Sequence, residues 1–117
     1  MSFFENIFSR NTDSSDIDVQ QFDDLMKNNE NIILDVRTEN EFKDSRIKGS
    51  INIDYHNSNF LNKVSELDRY KTILIYCRSG NRSHHAMQKM KKMGFQNPLN
   101  LTGGIIAWTR SNKPMIK

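Results

Sequence analysis

From Ile17 onward, short runs rich in β-branched residues alternate with stretches in which apolar residues recur every three or four positions. That alternation is the sequence form of an α/β domain built on a mainly parallel sheet. Asp18 and Gln21 have the spacing of a capping box, and Val19, Phe22, Leu25 and Met26 share one face of the helix that follows, until Asn28-Asn29 interrupts it. Ile32-Ile33-Leu34-Asp35-Val36 is apolar enough for a buried central strand ending at Arg37, and Thr38 with Glu41 opens a second, short helix through Phe42. Ile51 and Ile53 flank Asn52 in the alternation of a third strand, and Phe60, Leu61, Val64 and Leu67 form the stripe of another helix. Thr72-Ile73-Leu74-Ile75-Tyr76 is the strongest strand. It runs directly into Cys77-Arg78-Ser79-Gly80-Asn81-Arg82-Ser83. Ala86, Met87, Met90 and Met93 then fall at helical spacing, Lys89, Lys91 and Lys92 lie off that stripe, and Gly94 is a natural stop. Methionines so placed read as core filler rather than as a metal or cofactor site. Gly103-Gly104 make a turn, and Trp108 anchors the short helix beyond it by burying its ring.

Ahead of this pattern, Phe3, Phe4, Ile7 and Phe8 share one helical face, either a docking helix or a segment folded back on the domain, and Asn11 to Asp16 reads as linker. The expected division is an extension over 1–15 and a domain over 16–117. No apolar run approaches the roughly 20 residues of a membrane span, and the start lacks the basic and apolar regions of a secretory signal. A cytoplasmic protein without a membrane partner is therefore expected. The 117 residues are enough for one domain and one core. A single cysteine excludes a disulfide framework or a multi-cysteine zinc site, and no metal or cofactor is expected. The 17 Lys and Arg are scattered among 14 Asp and Glu, so the net charge of +3 does not point to nucleic acid.

The chemistry concentrates after the strongest strand. A cysteine between a buried strand and a helix N-terminus sits where backbone N–H groups converge and the helix dipole is positive, and both favour a thiolate. Gly80 lets the loop turn so that successive amides point inward as an anion-binding nest, and Arg78 and Arg82 add full charges nearby. The alternative is an inert buried cysteine, under which the arginines and the polar turn would have no purpose.

In these residues the chain resembles the rhodanese (sulfurtransferase) family in its single-domain form. The resemblance runs from about Ile17 to Lys117, through Asp35-Val36-Arg37, Glu41-Phe42, Ile47 to Ile53, Cys77 to Ser83, and Gly103-Gly104-Ile105-Ile106-Ala107-Trp108. It implies a five-stranded, mainly parallel sheet with helices on both faces. It also implies that Cys77 accepts sulfane sulfur as a persulfide, with Arg78, Ser79, Gly80, Asn81 and Arg82 as the substrate cradle. Asp35 and Arg37, two apart at a strand's carboxyl end, are implied as scaffold residues, with Ser83 supporting the loop. Four residues separate Cys77 from Arg82, whereas related cysteine phosphatases have a Cys-x5-Arg loop. The smaller cup suits a terminal sulfur better than a phosphoryl group with equatorial oxygens to bind.

The resulting expectation is a sulfurtransferase taking sulfur from thiosulfate or a persulfide and passing it to a thiol, cyanide or a thioredoxin-like protein. With one cysteine, the persulfide cannot be resolved internally. The alternatives are a non-enzymatic persulfide carrier or protein-docking module and, less favoured by the loop length, a cysteine phosphatase or arsenate reductase. Glu41 is explained by its capping box, with an ion pair to Arg82 open. His84 and His85 point in different directions and read as surface residues, at most one reaching substrate. Ser45-Arg46 stands where many family members have Gly-His, so either Ser45 is strained in a left-handed conformation or the turn differs.

Overall fold

The most apolar strand is the middle of the sheet, and the rest of the fold is arranged around it. The computed structural model describes residues 14–117. Its strands are β1 (Asp16–Ile17), β2 (Ile32–Asp35), β3 (Ile51–Asn52), β4 (Thr72–Tyr76) and β5 (Asn97–Leu101), in the order β1-β5-β4-β2-β3. All of these pairings are parallel. Helices α1 (Val19–Met26), α2 (Glu39–Asp44), α3 (Phe60–Val64), α4 (Asn81–Lys92) and α5 (Gly104–Arg110) complete the five-stranded α/β architecture expected from the sequence.

Alternation along β4 divides the core. Ile73, Ile75 and Cys77 join Leu34 and Val36 against Phe60, Val64, Ala86, Met87, Met90 and Phe95 on one face. Leu74 and Tyr76 join Ile17, Ile33, Leu99 and Leu101 against Phe22, Ile47 and Trp108 on the other. Because both faces are covered, β4 has no polar side to show, and its sequence is an unbroken apolar run. Phe22 packs edge-on against Tyr76 and Trp108, with centroids 6.4 and 5.9 Å away. Each such buried ring contributes roughly 2–3 kcal/mol. Asn100 stands in register with Ile75 and with Asp16 of β1, which turns its side chain to the Cys77 face of the sheet.

The chain runs from β2 to β3 on one side of the sheet and from β4 to β5 on the other. Such a reversal opens a crevice outside the carboxyl ends of the two strands that flank it. Arg37 and Cys77 stand at those ends.

Several sequence expectations shift. The linker expected over 11–16 gives way by Ser15, which is buried and accepts the Asn100 N–H at 2.7 Å, while Asp16 already belongs to β1. Residues 11–13 and the face of Phe3, Phe4, Ile7 and Phe8 lie outside the described residues. Leu61 is 46% exposed, so the buried stripe of α3 is Phe60 and Val64 only. Ser45 avoids a left-handed conformation: at φ −164° it is extended, and Arg46 pairs antiparallel with Ile116. The turn differs, as the second of the two expectations had it. Among the described residues no helix is long and apolar enough to cross a membrane, and no group of three His, Cys, Asp or Glu is placed to hold a metal.

Candidate active site

Helix α4 begins without a capping side chain, because its N-cap is Gly80, at φ 98°. The sulfur of Cys77 takes over that function. Its Sγ accepts the Gly80 N–H at 3.1 Å, the Ser83 N–H at 3.4 Å and the Ser83 hydroxyl at 3.3 Å. Ser83 is the third residue of the helix, whose N–H an N-cap side chain would ordinarily bind. The sulfur thus completes the helix end, at the positive pole of the dipole, and Cys77 has no exposed surface. Gly80 is required here: a Cβ would lie 3.0 Å from the Gly103 nitrogen and 3.3 Å from the Leu101 carbonyl oxygen.

A second helix N-terminus holds the loop from behind. The Ile105 N–H donates to the Cys77 carbonyl at 3.0 Å and the Ile106 N–H to the Arg78 carbonyl at 3.1 Å. The approach is so close that a Cβ on Gly104 would meet both carbonyl oxygens at 2.5 Å. The two glycines read from the sequence as a turn are therefore also the seat of the loop.

Arg82 is braced from α2. Its Nη1 and Nη2 donate to the two Glu41 carboxylate oxygens at 2.8 and 3.2 Å, while Glu41 keeps its capping box with Thr38. The Arg82 hydrogen bond, opposed by partial burial and aided by Thr38, lowers the Glu41 carboxyl from the ordinary 4.5 to about 2. A depressed carboxylate stabilises the fold above its unfolded pKa, and that contribution disappears as pH falls through the folded value. Glu41→Gln retains the cap but loses the charge, so it should cost roughly 2 kcal/mol at neutral pH after allowance for solvent screening. The deficit should shrink between 4.5 and 2. Urea unfolding of both proteins across that range checks this, and a pH-independent gap would show that the ion pair is not the brace.

The remaining residues singled out from the sequence separate into two groups. Arg78, Ser79 and Asn81 are exposed around the mouth of the loop. Arg82, whose backbone belongs to the expected cradle, commits its guanidinium to Glu41 and closes the loop, through the ion pair that the sequence left open. Asp35 and Arg37 are buried and form a two-pronged pair, Nη2 to Oδ2 at 2.6 Å and Nε to Oδ1 at 3.0 Å. Burial opposes the Arg37 charge, but the Asp35 hydrogen bond and charge outweigh it and raise its pKa. Arg37 also donates to the Ser45 carbonyl at 2.6 Å, and Asn52 donates to the carbonyls of Asp35 and Arg37 at 3.0 and 2.9 Å. The pair therefore ties the end of β2 to α2 and β3, and no hydrogen bond runs from it to the loop.

Residues that the sequence reading left aside lie beside the same loop. His84, expected at the surface, places Nδ1 3.0 Å from Asp16 Oδ1, and Asn100 Nδ2 donates to that oxygen at 2.8 Å. The available signal was Asn100 itself, a polar residue between Leu99 and Leu101 in a buried strand. His85 is exposed.

Comparison with known proteins agrees with this fold. The family model for the rhodanese-like domain matches residues 18–111. A sulfurtransferase from Allochromatium vinosum is 32% identical over 87% of this chain and 94% of its own length. A tRNA uridine(34) hydroxylase from Pelagibacter ubique is 28% identical over 92% of this chain, which spans only 36% of that protein. Among solved structures, a rhodanese-related protein from Thermoplasma volcanium superposes with a TM-score of 0.77 at 30% identity, covering 86% of this chain and 96% of its own.

Proposed function

The chain belongs to the rhodanese-like domain family, and from that premise we propose that it is a sulfurtransferase that carries sulfane sulfur on Cys77. The observation that carries this reading is the convergence of the Gly80 amide, the Ser83 amide and the Ser83 hydroxyl on one sulfur. Donors fixed in advance around that sulfur stabilise negative charge as it returns to Cys77 at the end of each cycle. In the loading step the Cys77 thiolate attacks the outer sulfur of thiosulfate. The S–S bond breaks with its electron pair on the departing sulfite, and Cys77 keeps a persulfide. A small persulfide donates by the same displacement. An external thiol, cyanide or a thioredoxin-like thiol then attacks the outer sulfur, and Cys77 leaves as thiolate.

Because Cys77 has no exposed surface, the loop has to yield as a donor arrives, and the exposed Arg78 and Ser79 are the part able to do so. Arg78 there meets the anionic end of thiosulfate. Phosphoryl transfer is less well supported, since Arg82 is held by Glu41 and the loop is short.

The test is the intact mass of the protein after incubation with thiosulfate, expected to rise by one sulfur atom and to return to its starting value on reduction. Ping-pong kinetics with a small acceptor should follow. Failure to load from either thiosulfate or a persulfide would end the reading. Loading without turnover would make the protein a carrier or docking module instead.

A further inference from the structure

The active loop has a second side. Next to it is a cavity of about 400 Å³ whose lining includes Asp16, Gly80, His84 and Asn100. Gly80 is shared between the two sides. Its N–H is bound to Cys77 Sγ, while its carbonyl accepts the His84 N–H at 3.1 Å and the Asn100 amide at 3.4 Å. His84 directly follows Ser83, the other residue bound to the sulfur.

Within this wall the hydrogen bonds fix a polarity. An ionised carboxylate only accepts, so the His84 nitrogen facing Asp16 Oδ1 at 3.0 Å carries the ring proton and Nε2 keeps its lone pair. Asn100 fixes the carboxylate in turn. Its side chain is almost fully buried, and among the described residues its Oδ1 has no hydrogen-bond partner. Turning the amide over would aim that oxygen at Asp16, so the fold tolerates an orphaned acceptor, which is costly, to keep a donor on the carboxylate. A buried asparagine, a carboxylate and an imidazole in sequence are an arrangement for holding a base in one tautomer and for stabilising its protonated form.

We propose that this cavity admits the acceptor thiol and that His84 Nε2 is the base that takes its proton, with Asp16 and Asn100 as positioning residues. The inference rests on the persulfide reading of Cys77. The thiol S–H proton moves to Nε2, and the resulting thiolate, reaching the mouth of the loop past Ser79 and Asn81, which line the same cavity, attacks the outer sulfur of the Cys77 persulfide. The S–S bond breaks with its electron pair on Cys77 Sγ. The product leaves as the acceptor's persulfide, and the proton on His84 passes to water.

The experiment separates the half-reactions. Wild type, His84→Gln, Asp16→Asn and His85→Gln are loaded from thiosulfate, checked by mass for one added sulfur, freed of donor, and mixed with either 2-mercaptoethanol or sulfite. Sulfite above its second ionisation has no proton to lose, so it needs no base. His84→Gln should transfer to 2-mercaptoethanol roughly 100-fold more slowly than wild type and to sulfite within about twofold of it. Asp16→Asn should show the same split at about tenfold, and the exposed His85→Gln should match wild type with both acceptors. An aryl thiol that is already ionised at neutral pH should close the gap. Equal slowing with thiol and sulfite in the His84 and Asp16 variants would mean that the cluster only supports the loop, and would overturn the proposal. Undiminished thiol transfer would overturn it as well. A wild type that never gains sulfur would instead refute the persulfide reading, and this inference would fall with it.

Discussion

Cys77→Ser protein incubated with thiosulfate should gain no sulfur, and its transfer rate should fall by at least about 10³-fold, to background. The serine oxygen remains within reach of the Gly80 and Ser83 donors that now meet Sγ at 3.1 to 3.4 Å. The substituted site is therefore hydrogen-bonded and the fold is retained, with a stability change of about 1 kcal/mol or less. What is lost is chemical. A hydroxyl is a far weaker acid than a thiol, and its oxygen is a poor nucleophile toward sulfur, so no covalent intermediate forms. Because the chain holds no other cysteine, sulfur found on the variant would lie on a group outside this mechanism, and the assignment of Cys77 would be withdrawn. Mass measurement and unfolding of the same sample make the two halves of the prediction independent.

Gly104→Ala should have the next largest effect, although Gly104 touches no substrate. At φ 56° an L side chain is strained, and the added methyl would lie 2.5 Å from the carbonyl oxygens of Cys77 and Arg78. The helix start must retreat, which breaks the Ile105 and Ile106 hydrogen bonds to those carbonyls. Strain together with two weakened backbone acceptors gives a loss of about 3 kcal/mol or more. With the carbonyl of Cys77 itself released, sulfur loading should slow by roughly 100-fold, the usual consequence of misplacing a reacting group by about 1 Å. Gly94→Ala is the matched comparison. Gly94 also has a positive φ, 94°, but nothing lies within 4 Å of its would-be Cβ. It should lose about 1 kcal/mol from backbone strain and load sulfur normally. Parallel urea titrations and loading rates of the two variants test this, and similar loading defects in both would refute the clamp assigned to α5.

What the sequence determined by itself is whatever short-range chemistry dictates. The capping boxes at Asp18 and Thr38, the apolar runs of β2 and β4, and the stripe of Met87 and Met90 are written in residues a few positions apart, and the structure reproduces them. The loop from Cys77 to Ser83 was legible for the same reason, since the strand, the turn glycine and the following helix start are contiguous. Strand β1 has only two residues, and β5 begins Asn97-Pro98 and carries Asn100 at its fourth position, so neither carries a strand pattern of its own. Both exist because the sheet beside them supplies backbone partners. Leu61 reads as core by spacing, but α3 is five residues long and turns that position to solvent.

The division is clearest around the cysteine. The sequence places a thiol at a helix N-terminus, and the tertiary structure decides what surrounds it. Arg82 meets Glu41 across 41 positions, His84 meets Asp16 across 68, and Asn100 meets Asp16 across 84. Partners so distant in sequence are chosen by strand order and register, which bring the carboxyl ends of β1, β5, β4 and β2 to one edge of the sheet. Local pattern carries no information about that order, because each strand reads alike wherever the sheet places it. The proposed nucleophile could thus be picked out from the chain, whereas its brace, its clamp and the base proposed for its acceptor came into view only with the fold.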